Sequence, residues 1–301
     1  MTSRLEKNEQ IIKEISDEEK KQRIKRIVKN IFKVIVIILL IFVPLYTYMR
    51  YIATKGITVN EIPLYFENLN DNDSGLKLVQ FSDLNYGSTV FKEEVSELVT
   101  NINKINPDIV VFTGDLVLNN YILTNEEETF LIDSLNKIKA SVGKYSVMGD
   151  RDSKYFVTIF DSTDFITLNN SYDLVYYNDN SPFIIAGLSD NAIDLKGTFS
   201  YYDDYSDIFS IVLMHRPDNV DKVLNSYKVD LVLAGHSLNG QLRIPFMGCI
   251  KREDGFKKYC DSYYEIKNTK LFISSGIGTN ELRFRMFNSP SINFFRIRKE
   301  T

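Results

Sequence analysis

Aspartate and histidine side chains recur at one kind of position in this chain, directly after a run of apolar residues. The segments SDLN, TGDL, GDRD, MHRPD and GHSLNG place these side chains at the ends of predicted strands: Asp83, Asp115, Asp150, His215 and His236. The chain has only 2 histidines, and both belong to this set. Carboxylates and neutral imidazoles are common ligands of divalent transition metals, so these residues predict a metal site.

Each of these residues also has an ordinary structural interpretation. A strand-end Asp commonly forms a turn or caps a helix, and a lone His is commonly a hydrogen-bonded core residue. For the whole set this interpretation is weaker, because ligands gather beyond the carboxyl ends of the strands in open α/β sheets. We therefore expect the side chains to converge from distant parts of the sequence.

The elements that must position them alternate between strands and helices. Apolar runs predict strands at residues 76–84, 108–116, 144–150, 181–190, 208–218, 229–237, 269–278 and 291–299. Apolar residues at helical spacing predict helices at 91–105 and 126–140. The early strand–helix–strand order predicts parallel βαβ units, and the later strands predict a second or mixed sheet within one α/β domain.

The order of these motifs resembles that of the calcineurin-like metallophosphoesterases, particularly their membrane-anchored bacterial branch. The family's motifs read Asp-x-His, Gly-Asp, Gly-Asn-His-Asp, a His after a strand, and Gly-His-x-His, often followed by Gly-Gly-Gln and an apolar-Pro-apolar segment. This chain has SDLN, TGDL, GDRD, LMHRPD and GHSLNGQLRIPF in the same order, within residues 75–300. The resemblance implies a two-sheet sandwich flanked by helices, and metal-dependent hydrolysis of a phosphomonoester or phosphodiester.

The resemblance further implies that one of the family's two adjacent metal sites is complete here. The carboxylate that bridges the two sites corresponds to Asp115, and the other ligands of the complete site correspond to Asp150, His215 and His236. Asp150 stands where the family has Asn, and a carboxylate is at least as good a ligand for Mn²⁺, Fe²⁺ or Zn²⁺. We expect one divalent transition-metal ion per chain.

The second metal site of the family is incomplete in this sequence. Its ligand Asp83 is present, but Asn85 and Leu238 stand where the family has histidines. A third family histidine is replaced by Arg151, which cannot donate a proton at neutral pH but can bind a phosphate in a bidentate manner. We expect Arg151 and Asn85 to hold the phosphate; an exposed arginine in a turn is an equally good interpretation of Arg151.

Three functions are compatible with these residues. The first is a phosphoesterase with one metal ion, and the second is an inactive binding or scaffolding protein that keeps the fold. The third is a two-metal enzyme in which Asp152, Asn119 or Asn239 supplies the ligand missing at Leu238. The one-metal phosphoesterase is favoured because all four ligands of one site are present.

The amino-terminal part of the chain predicts a membrane anchor. Residues 34–49 carry no charged side chain, and apolar neighbours extend this stretch to residue 52. A membrane-spanning helix needs about 20 apolar residues, and Lys33 and Arg50 can extend their charges to the headgroups at either end. The alternatives are a buried core helix and a cleaved signal peptide, although the bulky residues at 44–52 make a poor cleavage site.

The charges beside this segment predict its orientation. Residues 20–33 contain seven Lys or Arg and no acid, which predicts a cytoplasmic basic stub at 1–33 and an anchor at 34–52. The remainder would then be extracytoplasmic, with a tether and first strand at 53–75 and the metallophosphoesterase-like domain at 76–301. A basic tract beside the membrane also favours anionic lipid.

The net charge bears on the class of binding partner, and the cysteines bear on the compartment. The net charge is −4, and residues 1–33 alone carry +4, so the remainder carries −8 and offers no reason to expect nucleic acid. Cys249 and Cys260 are compatible with a disulfide outside the cytoplasm or with two buried thiols. The expected partner is a phosphoester substrate. By analogy with related membrane-anchored enzymes, we expect this substrate to be lipid-linked or derived from the cell envelope.

Overall fold

The structure is a computed structural model that describes residues 4–152, 154–178, 182–190 and 192–300. Residues 1–3 of the predicted stub, Ser181 of a predicted strand and Thr301 at the end of the predicted domain lie outside the described residues. The chain divides into two compact units, Met1–Tyr48 and Met49–Thr301, which we call the amino-terminal unit and the outer unit.

The amino-terminal unit is one helix, α1, which extends over Arg4–Thr47 and is followed by a π-helical turn at Tyr48–Ile52. The basic tract and the apolar run are therefore parts of the same helix, with Pro44 inside it. By length and composition this helix is a candidate membrane span. Its apolar side chains are exposed, which does not fit the alternative of a buried core helix.

The outer unit contains fourteen strands and six helices among its described residues. The strands are β1 Thr58–Phe66, β2 Leu76–Phe81, β3 Ile109–Phe112, β4 Gly143–Ser146, β5 Ile166–Thr167, β6 Ser171–Val175, β7 Phe183–Gly187, β8 Ser210–Leu213, β9 Leu231–Ala234, β10 Arg243–Ile244, β11 Gly248–Cys249, β12 Tyr263–Ile266, β13 Thr269–Ile273 and β14 Ser291–Lys299. The helices are α2 Lys92–Ile105, α3 Asn125–Asn136, α4 Lys154–Phe160, α5 Leu195–Thr198, α6 Tyr202–Tyr205 and α7 Val220–Leu224, with 3₁₀ turns at Asp71–Asp73 and Pro217–Asn219.

These strands form two six-stranded sheets and one hairpin. The first sheet has the order β1-β14-β2-β3-β4-β5, and the second has the order β12-β13-β9-β8-β7-β6. Strands β2 to β5 are parallel, as are β7, β8, β9 and β13, whereas β14 is antiparallel to β2 and parallel to β1. The hairpin consists of β10 and β11.

Side-chain alternation along the strands builds three apolar layers. In β3, Ile109 and Val111 pack in the layer between the two sheets, whereas Val110 and Phe112 pack in the layer that includes α2, α3 and α4. The strands of the second sheet alternate in the same way between the central layer and a third layer, which includes α7. Because each parallel strand is buried on both faces, its sequence is continuously apolar rather than alternating.

The predicted fold class is confirmed. Each of the eight predicted strands and both predicted helices overlaps an observed element of the same type. The observed strands are shorter, because the polar residues at their carboxyl ends leave the sheets and form the loops described next. Strands β5, β6, β10, β11 and β12 and helices α4 to α7 were not predicted. Of these, β6 and β12 are partly exposed edge strands with weak apolar patterns.

Candidate metal centre

The parallel strands of both sheets end at one edge of the sandwich. Asp83 and Asn85 follow β2, Asp115 follows β3, and Asp150 follows β4. His215 and His236 follow β8 and β9 of the other sheet in the same way. The loops are joined by backbone hydrogen bonds, such as that from Asp83 N–H to the carbonyl of Gly114 (2.8 Å). The two sheets thus contribute to a single site.

Several of the loop residues have an unusual backbone conformation. The φ angles of Asp83, Asp115 and His236 are 49°, 61° and 65°, in the left-handed region that disfavours residues with a side chain. Asn85, Leu238 and Asn239 lie in the same region. Such conformations cluster at functional sites, where the surrounding structure must hold them in place.

Two glycines allow the loops to approach closely. A Cβ atom on Gly114 would lie 2.5 Å from Nδ1 of His215, and one on Gly149 would lie 2.4 Å from Oδ1 of Asp115. Any side chain at either position would displace a residue of the site. This explains why Gly precedes both Asp115 and Asp150 in the sequence.

Four of the predicted ligands converge. One donor atom from each of Asp115, Asp150, His215 and His236 lies within 4.8 Å of the others. Nε2 of His215 is 3.3 Å from Oδ1 of Asp115 and 3.1 Å from Oδ1 of Asp150. Nδ1 of His236 is 3.0 Å from the same Asp150 oxygen. The cluster has the donor types and spacing that a divalent transition metal requires.

Backbone carbonyls orient both imidazoles toward this cluster. Nδ1 of His215 lies 2.7 Å from the carbonyl oxygen of Thr113, and Nε2 of His236 lies 2.8 Å from that of Asp254. Because a carbonyl can only accept, each of these nitrogens donates a hydrogen. In the neutral rings the other two nitrogens, 3.2 Å apart, then direct their lone pairs into the cluster. The residues therefore fit a metal ion.

The charges of the cluster depend strongly on one another. Burial favours the neutral acid, but hydrogen bonds from the imidazoles hold the pKa of Asp150 well below its usual range. Burial likewise opposes protonation of His215, but Asp115 and Asp150 outweigh it and raise the pKa of that imidazole. Without a metal ion, a proton on His215 partly neutralises the carboxylates, and a metal ion has to displace it.

Arg216 and Asp152 support the cluster, a role that was predicted for neither residue. Arg216 contacts the Asp150 Oδ2 oxygen (3.0 Å) and the Asp190 carboxylate (2.9 Å), which fixes Asp150 from outside. Asp152 accepts hydrogen bonds from the backbone N–H groups of Asp115, Leu116 and Gly149. Burial and the charge of Asp115 raise the pKa of Asp152 to about 7, against the backbone donors. Arg216 follows His215 in the sequence and Asp152 follows Arg151. This adjacency to predicted site residues was the only sequence signal for their role.

The second metal position differs from the first. Asp83 lies outside the four-donor cluster; its Oδ2 accepts from the Ser82 hydroxyl and from His236 N–H, at 2.6 and 3.0 Å. Asp83 Oδ1 and both polar atoms of the Asn85 side chain are buried and have no hydrogen-bond partner among the described residues. Leu238 is fully buried and offers no donor. Asp152 and Asn239 do not replace it, because Asp152 accepts three amides and Asn239 accepts from Arg243.

A buried cation lies near Asp83 instead. Arg285 is fully buried, and its guanidinium donates to the carbonyl oxygens of Ser275 and Gly276 at 2.8 and 3.0 Å. A Cβ atom on Gly276 would lie 2.2 Å from Leu238 Cδ2, 2.9 Å from Asp83 Cβ and 3.6 Å from Arg285 Nη2, so these side chains surround one glycine. Burial lowers the pKa of Arg285 to about 10, with Asp83 opposing, so the group stays charged at neutral pH.

Arg151 faces a cavity beside the cluster. Its Nη1 lies 3.9 Å from Asp115 Oδ2 and donates to Asn280 Oδ1 at 2.6 Å. The cavity has a volume of about 530 Å³, and Asn280 and Phe256 also line it. Asn280 was not predicted, although it follows β13, which ends at the same edge as the other strands. Arg151 is thus a contact residue of the cavity rather than an isolated turn residue.

Comparison with known proteins agrees with this geometry. Residues 76–240 match the family described as Calcineurin-like phosphoesterase. The chain is 30% identical to "Uncharacterized metallophosphoesterase YkuE" of Bacillus subtilis (strain 168), over 84% of this chain and 90% of that protein. The chain belongs to the calcineurin-like phosphoesterases.

Two further proteins are similar to this chain at lower identity. "UDP-2,3-diacylglucosamine pyrophosphatase LpxG" of Chlamydia trachomatis is 26% identical, over 62% of this chain and 69% of that protein. "Transmembrane protein with metallophosphoesterase domain" of Danio rerio is 25% identical, over 87% of this chain and 62% of that protein.

Proposed function

We propose that the outer unit hydrolyses a phosphomonoester or phosphodiester with one divalent transition-metal ion held by Asp115, Asp150, His215 and His236. The convergence of these four donors carries the proposal, together with the two carbonyls that set the imidazole orientations. Mn²⁺, Fe²⁺ and Zn²⁺ all suit a site of two imidazoles and two carboxylates.

The residues of the chain divide the work of the reaction. A divalent ion at this site supplies Lewis-acid activation of the phosphoester and of the attacking water. Arg151, which faces the cavity, binds phosphate oxygens with its guanidinium and offsets their charge. Asn85, whose amide has no hydrogen-bond partner among the described residues, offers N–H donors beside Asp115. The ion pair between Arg216 and Asp150 keeps the Asp150 carboxylate in position during the reaction.

The residues at the family's second metal position favour the binding of one metal ion per chain. Leu238 offers no donor there, and the guanidinium of Arg285 places a fixed positive charge in the surroundings of Asp83. A second divalent cation would meet a missing ligand and a repulsive charge at once. In this proposal Arg285 supplies part of the charge compensation that the family's second ion provides.

We further propose that the chain is anchored in a cell membrane by residues 34–52, with residues 1–33 in the cytoplasm and the outer unit outside. The support is a helix long and apolar enough to span, and the seven basic residues at 20–33. An anchored hydrolase at a membrane surface meets phosphoesters carried by lipids. A lipid-linked or envelope-derived phosphoester is therefore the proposed substrate, in keeping with the diacylated compound in LpxG's name.

A second candidate function is an inactive domain that binds metal and phosphate. The buried Leu238 and the partnerless Asn85 amide favour it, because both replace groups with a role in the family's hydrolysis. In that case the cluster would still bind a metal ion, but no substrate would turn over.

One assay tests both functions. The purified full chain is incubated with Mn²⁺, Fe²⁺ or Zn²⁺ and a panel of chromogenic phosphoesters, and compared with Asp115→Ala and His236→Ala. We expect both variants to lose metal binding and at least about 100-fold in turnover, because each removes a ligand. Asp133→Ala, on the exposed face of α3, is the control and should behave like the wild type. Equal turnover in all variants contradicts the phosphoesterase, and metal binding without turnover supports the second function.

A further inference from the structure

The hairpin of β10 and β11 presents apolar side chains to solvent near the metal centre. Phe246 and Met247 at its tip are 109% and 78% exposed. Ile244 and Ile250 flank the tip, and Leu282 and Phe287 are exposed on the neighbouring loop. We call these six residues the hairpin patch. Exposed apolar residues are ordinary singly, but a cluster of this kind marks a surface that contacts another apolar phase.

The turn at the tip of the hairpin holds one bulky residue in a strained backbone conformation. Met247 N–H donates to the carbonyl of Ile244 at 3.1 Å, which closes a four-residue turn with Pro245 in its second position. Phe246 occupies the third position with a φ of 69°. Turns of this kind ordinarily place Gly or Asn there, because a bulky side chain is strained at positive φ. Phe246 is thus strained and also unburied, so its contribution lies outside the fold.

The hairpin patch continues into the cavity of the metal centre. Phe246, Met247 and Phe287 line one surface cleft, whereas Ile250 and Leu282 line the cavity that also contains Arg151. Side chains of the hairpin patch therefore line both the cleft at the tip and the cavity that contains Arg151. The Cys249–Cys260 disulfide joins the second strand of the hairpin to the loop that precedes β12.

The charge around the patch favours an anionic surface. Residues 243–258 contain five basic and two acidic side chains, a net charge of +3, whereas the chain as a whole carries −4. Four of the five basic side chains form ion pairs within the outer unit: Arg243 with Asp261, Lys251 with Glu253, Lys257 with Asp254 and Lys258 with Asp221. With Asp221 and Asp261 included, five basic and four acidic side chains leave a net charge of +1 beside the apolar tip. Apolar side chains flanked by Lys and Arg are the features of a segment that inserts at the interface of an anionic bilayer.

We infer that the hairpin patch inserts into the surface of an anionic lipid bilayer and brings the mouth of the catalytic cavity to the headgroups. A phosphoester attached to a lipid could then enter the cavity while its acyl chains stay in the apolar phase. The substrate part of this inference rests on the proposed function, whereas the insertion of the hairpin does not.

The absence of tryptophan from the chain provides a direct test. Phe246→Trp creates a single fluorophore at the tip in the full-length protein, which is reconstituted into phosphatidylglycerol vesicles with or without brominated acyl chains. Tyr176→Trp is the matched control: Tyr176 is exposed and follows β6, whose last residue pairs with the first residue of β7, at the edge opposite the metal centre.

We expect brominated lipid to quench the emission of Phe246→Trp at least about twofold more than that of Tyr176→Trp, because the quencher acts only on contact with the acyl region. A tip fluorophore that is quenched no more than the control overturns the inference. A blue-shifted tip emission that depends on protein density, without lipid quenching, overturns it in favour of contact between copies of the chain.

Turnover gives an independent measurement. In Phe246→Ser/Met247→Ser we expect kcat/KM for a soluble chromogenic phosphoester to stay within twofold of the wild type, since neither residue lines the catalytic cavity. For a lipid-linked phosphoester in the same vesicles we expect a loss of at least tenfold. Equal losses on both substrates contradict the inference. If the wild type hydrolyses neither substrate, the proposed function fails, and the quenching result still decides whether the hairpin inserts.

Discussion

Each histidine of the metal centre contacts a backbone carbonyl with one ring nitrogen and the donor cluster with the other. The chain has only 2 histidines, so no imidazole remains to protonate a leaving group. Arg151 stands where the family has a histidine, and a guanidinium does not release its proton at neutral pH. The chemistry available to the site therefore differs from that of a relative with complete motifs.

This difference predicts a preference for good leaving groups. For aryl phosphates of increasing phenol pKa, we expect log kcat/KM to fall steeply, since general acid assistance commonly contributes 10²–10⁴-fold and no histidine is left to provide it. Steady-state rates across the series measure the slope. Glu253→Gln and Glu281→Gln are the controls, because both glutamates line the cavity. A shallow slope in the wild type that becomes steep in one of them would identify that glutamate as the acid.

The buried Leu238 and Arg285 predict the metal content. We expect the purified full chain to retain one divalent transition ion, measured by elemental analysis after dialysis. Asn85→His/Leu238→His restores two donors and should bind a second ion, more weakly than the first because Arg285 repels it. Leu238→Met, which nearly conserves volume, is the control and should leave the count at one. Two ions in the wild type would contradict the assignment.

At the scale of elements, the continuously apolar runs predicted the parallel strands and their polar ends predicted the site. Asp83, Asp115, Asp150, His215 and His236 were predicted together because all five follow strands that end at one edge, and only the resemblance to the family assigned Asp83 to a different metal position from the other four. Arg216, Asn280 and Arg285 were not predicted, because their roles depend on loop geometry that no spacing in the sequence encodes. The short strands β10 and β11 were missed for a related reason: they form a hairpin with little apolar alternation and depend on the disulfide and on neighbouring loops.

The structure pairs Cys249 with Cys260, one of the two states that the sequence left open. The bond closes a loop of 11 residues that includes the end of the hairpin. A loop of this size predicts a stabilisation of about 3 kcal/mol from restriction of the unfolded chain. We expect reduction of the disulfide to lower the denaturant midpoint of the wild type. A denaturant titration monitored by fluorescence or circular dichroism measures this midpoint with and without reductant.

The double variant Cys249→Ser/Cys260→Ser provides the control for that measurement. Its midpoint should match that of the reduced wild type and should not respond to reductant. A wild-type midpoint that is the same with and without reductant would show that the bond does not stabilise the outer unit.

For the molecule as a whole, the uneven distribution of charge predicts its topology. In intact cells, a membrane-impermeant thiol reagent should label a single cysteine placed at Ile122, an exposed residue of the outer unit, in a Cys249→Ser/Cys260→Ser background. A cysteine placed at Gln10 in the same background should be labelled only after the cells are lysed, because the basic tract holds that side in the cytoplasm. The reverse pattern would overturn the proposed orientation.

Strand β14, the last of the chain, lies inside the first sheet, between β1 and β2. It forms nine residue pairs with β1, so the beginning and the end of the outer unit are adjacent partners in one ladder. The first sheet therefore cannot be completed until residues 291–299 have been synthesised. Until then β1 and β2 lack the strand that joins them, so the outer unit stays incompletely folded through most of its synthesis, which is the state that the proposed export requires.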